Sequence, residues 1–451
     1  MRSKEVNMLS GSITKGLFTI SMPIMIMNVA QSLFNIVDMA VLEGFDPGGT
    51  AVGSVGVCSM LISLITGLVI GISAGANVVV ARFIGEGDQQ KIERAVGASI
   101  AISLAGGLAM LVVGVAFAEV FLKWTNCPDV LLPHATLYFR LYFVGSPLLL
   151  LYNFCAAILR SAGDSRRPMI YLLVGGVVKI VCNYVCVAFL HMSVAGVALS
   201  TIISWSVYAG LSLRAVLLGV GDVRLKMAMI GFHKEETAKI LRVGVPDGLQ
   251  RGLYSIANVI ISATVNSFGP DATTGISIAN SFDGILYNIC TAPALAVMPY
   301  VSQNIGAGNV KRAEKAVGRG VLITVAIGGF FGALSAIFSG ELSSILSDNS
   351  AVIAYSRQKM IIISSTYFIT GINEILGSAL RGMGKPTVAT VATLIFMCAI
   401  RFPWVYVIFP LYPNLTFLYL IWPIGWTLSI IMLLCYYFPT MKSLKQKCQV
   451  Q

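Results

Sequence analysis

Long apolar runs, separated by short charged or turn-rich breaks, make up almost the whole chain. They predict helical spans near 16–42, 50–82, 95–119, 132–160, 166–191 and 193–219. A second set follows near 238–268, 272–304, 313–339, 354–381, 386–410 and 414–438. Crossing a bilayer takes about 20 apolar residues, so each run is long enough. The longest connection, 220–237, carries Arg224, Lys226, His233, Lys234, Glu235 and Glu236 and reads as a linker. The pattern predicts an all-α, polytopic membrane protein of twelve transmembrane helices in two pseudo-symmetric six-helix bundles. The N-terminal bundle would span 1–219, the cytoplasmic linker 220–237 and the C-terminal bundle 238–451.

Composition agrees. Of 451 residues only 11% are charged and 56% are hydrophobic, where a soluble protein carries about 25% charge. Mean hydropathy is +0.82. Such a chain is neither a soluble enzyme, a nucleic-acid binder, a disordered protein nor a disulfide scaffold. Its net charge of +11 reads through the positive-inside rule instead. Loops after the even-numbered spans, with both termini, hold 24 of the 31 Lys and Arg residues. That asymmetry places both termini and the linker in the cytoplasm, on the cytoplasmic (inner) cell membrane. Lys123, Arg357 and Lys359 fall on the other face, while Arg140, Lys179, Arg251 and Arg401 lie within spans. The nine cysteines show no CxxC or paired spacing and the three histidines are scattered, so no metal or disulfide framework is expected. No signal peptide is expected either, because the first apolar run is too long and lacks a small-residue cleavage site.

The chain repeats itself. Residues 84–97, IGEGDQQKIERAVG, match 305–318, IGAGNVKRAEKAVG, at an offset of 221. The same offset aligns Leu159, Arg160 and Gly163 with Leu380, Arg381 and Gly384, and Pro23 pairs with Pro246 at 223. Six spans per half is an even number, so both halves enter the membrane in one direction, as parallel repeats do in many transporters. The charged, Gly-led segments at the repeat are expected to form short surface helices.

Polar residues at membrane depth mark the candidate chemistry. In span 1, Asn28, Gln31, Asn35 and Asp38 are spaced 3, 4 and 3, which stacks them on one helix face. Such a stripe cannot face lipid, where each unsatisfied polar group costs several kcal/mol. An intramembrane carboxylate such as Asp38 can carry a proton or coordinate a cation. The alternative is a static pair with Lys179 on span 5. In span 8, Asn280, Asp283 and Tyr287 share a face; in span 10, Glu374 follows Thr370 by one turn. Arg251 and Arg401 are candidate partners for Asp283 and Glu374, and Asp247, beside Pro246, reads as a helix cap or dipole partner. No phosphate cradle, HExxH motif, nucleophile elbow or Cys/His pair is present, so no enzymatic activity and no cofactor are expected. Energy would come from an ion gradient.

These residues carry a family resemblance. The first-span pattern of Pro23, Asn35 and Asp38, the IGEGD loop with its IGAGN twin, and LRGMGKP near span 10 resemble the multidrug and toxic compound extrusion (MATE) transporters over nearly the whole chain. The resemblance implies a V-shaped pair of bundles exporting amphipathic, often cationic compounds in exchange for sodium ions or protons. Asp38 would be the coupling aspartate, and Asn183 and Thr201, with Asn35, would belong to a first-half cation site. Many members carry a second aspartate where Val187 stands, a departure that favours protons at Asp38. In the second half, Tyr254 stands where some members place a glutamate and Thr370 where some place an acid, while Asp283 resembles the span 8 acid. Gln31, Tyr254, Asn258, Asp283, Tyr287 and Glu374 form the candidate substrate or second coupling set.

The leading expectation is an ion-coupled efflux antiporter, monomeric, with a small-molecule substrate, membrane lipid around it and no nucleic-acid partner. Its expected mechanism, direct exchange at Asp38, requires that this carboxylate be free to exchange its counter-ion; a carboxylate locked against Lys179 would defeat that mechanism. The alternative is a lipid-linked saccharide flippase, whose sign would be Lys179, Arg251 and Arg401 lining one groove.

Overall fold

The computed structural model describes residues 5–45, 50–125 and 127–450; Arg2 and Lys4, counted among the cytoplasmic cations above, lie outside them. Among the described residues the regular elements are helices, with one isolated β-bridge between Val220 and Val223. The chain opens with α1 (Ile13–Phe45), α2 (Thr50–Glu86) and α3 (Gln89–Ala116), then the short α4 (Ala118–Trp124). The fourth span is the pair α5 (Leu132–Val144) and α6 (Ser146–Ser161), followed by α7 (Arg166–Tyr184) and α8 (Ser193–Leu218). The second half runs α9 (Lys234–Asn266), α10 (Pro270–Gly306), α11 (Val310–Ile337) and the short α12 (Ser339–Ser344). It ends with α13 (Ser350–Ser364), α14 (Tyr367–Gly382), α15 (Pro386–Thr393), α16 (Arg401–Pro403), α17 (Leu415–Tyr419) and α18 (Ile421–Val450).

Among the described residues nine helical segments are long and apolar enough to span a membrane, and the bent pairs α5–α6 and α13–α14 add two. The twelfth is α9. At 1.5 Å per residue its 33 residues reach about 50 Å, but Lys239, Arg242, Asp247 and Arg251 make it less apolar than the others. Twelve transmembrane helices therefore result, as the hydropathy pattern predicts.

The internal repeat is visible in the backbone. The fourth and tenth spans each bend by 45° at a break. Gly87 and Gly308, and Gly163 and Gly384, all adopt positive φ (70°, 74°, 82° and 81°), the left-handed region that glycine enters without a side-chain clash. The fifth span continues from α7 into a wide π turn, Val185–Phe189, and the eleventh continues from α15 into another, Leu394–Ala399. At the repeat loops the expectation of surface helices is corrected: α2 runs to Glu86 and α3 begins at Gln89, because Gly87 turns the chain sharply and Asp88 caps α3 through Lys91 N. Asp247 is no cap either, since α9 begins at Lys234 and passes through Pro246.

The chain divides into two compact units. One comprises 1–6 and 29–248, the other 7–28 and 249–451. The border thus falls within α1 and α9 rather than in segment 220–237. In the first unit α2 and α9 meet through Gly71-xxx-Gly75 and Gly244-xxx-Gly248: a Cβ added at Gly75 would sit 2.1 Å from the Ile240 carbonyl oxygen. Small residues allow such backbone contact between membrane helices. Apolar clusters fill each unit, one around Phe83, Ile92, Phe154 and Leu159, another around Trp404, Phe409, Leu418 and Tyr419.

Candidate functional site

In the first unit the site is built where α1 meets α7. Gly176 lets the helices approach, since a Cβ there would lie 1.9 Å from the Phe34 ring, and one at Gly175 would lie 2.6 Å from the Tyr208 ring of α8. One turn beyond these glycines, Lys179 Nζ donates to Asp38 Oδ2 at 2.5 Å, and Asn183 Nδ2 donates to Asp38 Oδ1 at 3.0 Å. Asp38 and Lys179 are each 9% exposed, and Asn183 is fully buried. Both carboxylate oxygens are therefore engaged, and the acid's counter-ion belongs to the protein. Asn183 Oδ1 is buried with no hydrogen-bond partner among the described residues.

Thr201 is buried on α8, where its Oγ1 donates to Val197 O within its own helix. Asn35 and Gln31 lie on α1 and are exposed, and neither is among the side chains hydrogen-bonded to Asp38 in the described residues. Of the first-half set, the structure joins Asp38, Lys179 and Asn183 directly. Val187, inside the π turn, packs with Leu42, Ala51, Val194 and Val197, so the position that carries a second aspartate in many MATE proteins is apolar here in its surroundings as well.

The second unit holds its own buried pair. Lys359 Nζ lies 2.9 Å from Asp283 Oδ2 and also donates to Asn280 Oδ1. The side chains of Lys359 and Asp283 are 4% and 11% exposed, and Tyr367 Oη donates to the Asp283 carbonyl. Two expectations are corrected at this point. Lys359 is not an extramembrane cation, because α13 carries it inside the helix bundle. Arg401 is not the partner of Asp283: its Nη1 donates to Asn258 Oδ1 at 2.6 Å, and its guanidinium sits 5.0 Å and 5.4 Å from the Tyr254 and Trp422 ring centres. Such cation–π contacts suit a desolvated guanidinium.

Beside the pair lies a cavity of about 280 Å³ whose lining includes Tyr254, Asn258, Tyr287, Tyr419, Trp422 and Trp426. Arg251, Thr370 and Glu374 line a smaller neighbouring space of about 40 Å³ that shares Tyr254, Tyr287 and Trp426. All six residues of the substrate or second coupling set except Gln31 thus border these two spaces. The tryptophans and Lys359 were missed from sequence. Lys359 sits in the run SRQKM with Arg357, which resembles a helix-end loop, and its partner is 76 residues away along the chain.

A parallel emerges between the halves. In the first, a residue of the fifth span (Lys179, Asn183) clasps a polar side chain of the first span; in the second, Arg401 of the eleventh clasps Asn258 of the seventh. Asn35 and Asn258 differ by 223, the offset that relates Pro23 to Pro246.

Twelve spans in two six-span repeats, with a carboxyl–lysine pair buried in each unit, define a polytopic membrane protein with an ionisable interior. The chain belongs to the MATE family: the family model described as MatE matches it twice, over residues 23–185 and 246–407. It is similar to the "Probable multidrug resistance protein YpnP" of Bacillus subtilis, 26% identical over 406 residues and 89% of each chain. A second relative, 22% identical over 402 residues and 88% of each chain, is the "FAD transporter" of Shewanella oneidensis. Among solved structures, the "Outward-facing conformation of a multidrug resistance MATE family transporter of the MOP superfamily" superposes with a TM-score of 0.90 at 20% identity. That likeness covers 99% of this chain and 100% of the other and concerns the fold.

Proposed function

We propose that this chain is a proton-coupled efflux antiporter that exports amphipathic or cationic small organic compounds across the cytoplasmic membrane by alternating access. Both termini would lie in the cytoplasm and the working unit would be a monomer. Membership of the MATE family and similarity to a protein named for multidrug resistance support efflux. The observation that carries the coupling site is the buried Asp38–Lys179–Asn183 cluster.

The cluster changes how coupling works. With Lys179 at 2.5 Å, Asp38 cannot simply trade one solvent cation for another, and the direct exchange expected from sequence does not hold in this state. A sodium ion at the same carboxylate would face an ammonium at contact distance, where like-charge repulsion in a poorly screened interior is severe. A proton avoids that conflict, because it bonds to the carboxylate and abolishes the charge that holds Lys179. Protonation would then open the pair, and release of the proton would close it. Asp283 with Lys359 would offer a second carboxylate in the other unit, and the aromatic cavity beside it the apolar walls that polyspecific pockets use.

The flippase alternative is less favoured, because two of its three cations have protein partners: Lys179 is held by Asp38 and Arg401 by Asn258 and two rings. The test is transport of a fluorescent organic cation in proteoliposomes with pH and sodium gradients imposed separately. The proposal expects flux driven by the pH gradient alone. Flux that follows only the sodium gradient would overturn proton coupling, and flux indifferent to both would overturn antiport. Given the relative named for FAD, a flavin dinucleotide is the second substrate to assay.

A further inference from the structure

Within the second unit, a groove of about 1090 Å³ opens between the N-terminal end of α11, the C-terminal end of α18 and residues 9–14. Its lining carries five cations, Lys311, Arg312, Lys315, Arg319 and Lys445, and no acid. Two of the five are already committed. Arg312 donates to the carbonyls of Met8, Ser10 and Gly11, which pins the segment before α1, and Lys445 pairs with Glu314 at 2.7 Å. Lys311, Lys315 and Arg319 are exposed, and among the described residues no carboxylate lies within ion-pair distance of them.

Their spacing of four places these three on one face of α11. That face then turns apolar: Leu322 is 59% exposed, and exposed Val325 follows one turn later. Opposite, Ile13 and Leu9 also line the groove. From Arg319 to Leu322 is about 4.5 Å along the helix, so the cationic shelf gives way to a lipid-facing apolar track within the roughly 5–8 Å depth of a headgroup layer. Basic pockets between membrane helices recognise anionic lipid headgroups in this way. We infer that this groove binds an anionic phospholipid of the adjoining leaflet, with its phosphate on Lys311, Lys315 and Arg319 and an acyl chain along Leu322 and Val325. Charge complementarity supplies the affinity, and the apolar track selects a lipid over a soluble phosphate. The inference does not depend on which ion drives transport.

The test uses the full-length protein, delipidated in detergent and titrated with phosphatidylglycerol, with phosphatidylcholine and with inorganic phosphate, bound lipid being read by native mass spectrometry. Each basic contact near a membrane surface contributes about fivefold. The triple variant Lys311→Gln/Lys315→Gln/Arg319→Gln should therefore bind phosphatidylglycerol about a hundredfold more weakly. The charge-keeping variant Lys311→Arg/Lys315→Arg should bind as the parent does, and Leu322→Gln should weaken phosphatidylglycerol without affecting phosphate. Equal binding of both lipids by the parent protein, or unchanged affinity in the triple variant, would overturn the proposal. Displacement of the lipid by millimolar phosphate would reassign the site to a soluble anion.

Discussion

Removing Lys179 and Asp38 singly and together separates the structural work of the pair from its work in transport. Both side chains are nearly buried, 11% and 12% exposed, and meet at 2.5 Å. Truncating one partner of a buried ion pair leaves an uncompensated charge and costs about 3–5 kcal/mol, whereas removing both leaves none. Lys179→Gln and Asp38→Asn should each lower thermal stability by about that amount, and the double variant should recover most of it. The coupling energy from the cycle should then be about 3 kcal/mol or more. Unfolding of the detergent-solubilised protein gives the stability arm, and the proteoliposome assay gives the transport arm. Stability should return in the double variant while pH-driven export stays lost. Losses that simply add would show that the pair is not coupled in the folded protein. A double variant that exports normally would show that Asp38 has no part in coupling. Asp38→Asn alone is a poor reporter, because it strands the Lys179 ammonium and confounds folding with function.

Further outcomes follow from other parts of the molecule. Gly75→Leu should disrupt the α2–α9 crossing, since even a Cβ meets backbone at 2.1 Å; a loss of at least about 1–3 kcal/mol, read as poor membrane yield and a lowered Tm, is expected, and an unchanged Tm would refute the close packing. Val187→Asp should not create a sodium site but should bury an unpaired charge among Leu42, Val194 and Val197, at about 3 kcal/mol or more; a stable, sodium-stimulated variant would contradict this. The Lys91 backbone N–H that Asp88 accepts, followed by the Lys91 ammonium, holds the Asp88 carboxyl below its ordinary value of 3.8. A depressed acid stabilises the fold above its unfolded value and loses that effect as pH falls through the lowered one. The cap should therefore be intact at neutral pH, and Asp88→Ala should speed hydrogen exchange in the first turn of α3 at pH 7; unchanged exchange would show that the cap does nothing.

Much of the architecture is legible in the sequence because membrane insertion demands contiguous apolar runs and duplication preserves turn glycines. The breaks in the fourth and tenth spans are not legible, since a 45° bend leaves the apolar count intact. The same limit hid Lys359. A hydropathy pattern charges every lysine alike, while the structure offsets this one with Asp283 and Asn280, contacts made across helices. The pairing of Asp38 with Lys179 is legible as a candidate, because both lie inside spans of one half, where Arg140 is the other in-span cation. That the pair is closed, with Asn183 on the second oxygen, depends on Gly176 admitting Phe34, and a glycine's role in docking cannot be told from a glycine's role in a turn without coordinates.

The wide turn at Val185–Phe189 has a consequence for how the fifth span can tolerate change. A π segment fits one residue more into its turn than regular α-helix does, so side chains inside it leave the 3.6-residue phase that Lys179 and Asn183 follow. Those two reach Asp38 from the regular part of the span, while Val187, within the turn, joins the apolar cluster. Excising a single residue from this turn would restore the regular count and leave the helix before it where it stands, so the acid would keep its partners while the greasy contact was redrawn. The extra residue thus makes the end of this rod editable without disturbing the ionic contact one turn earlier.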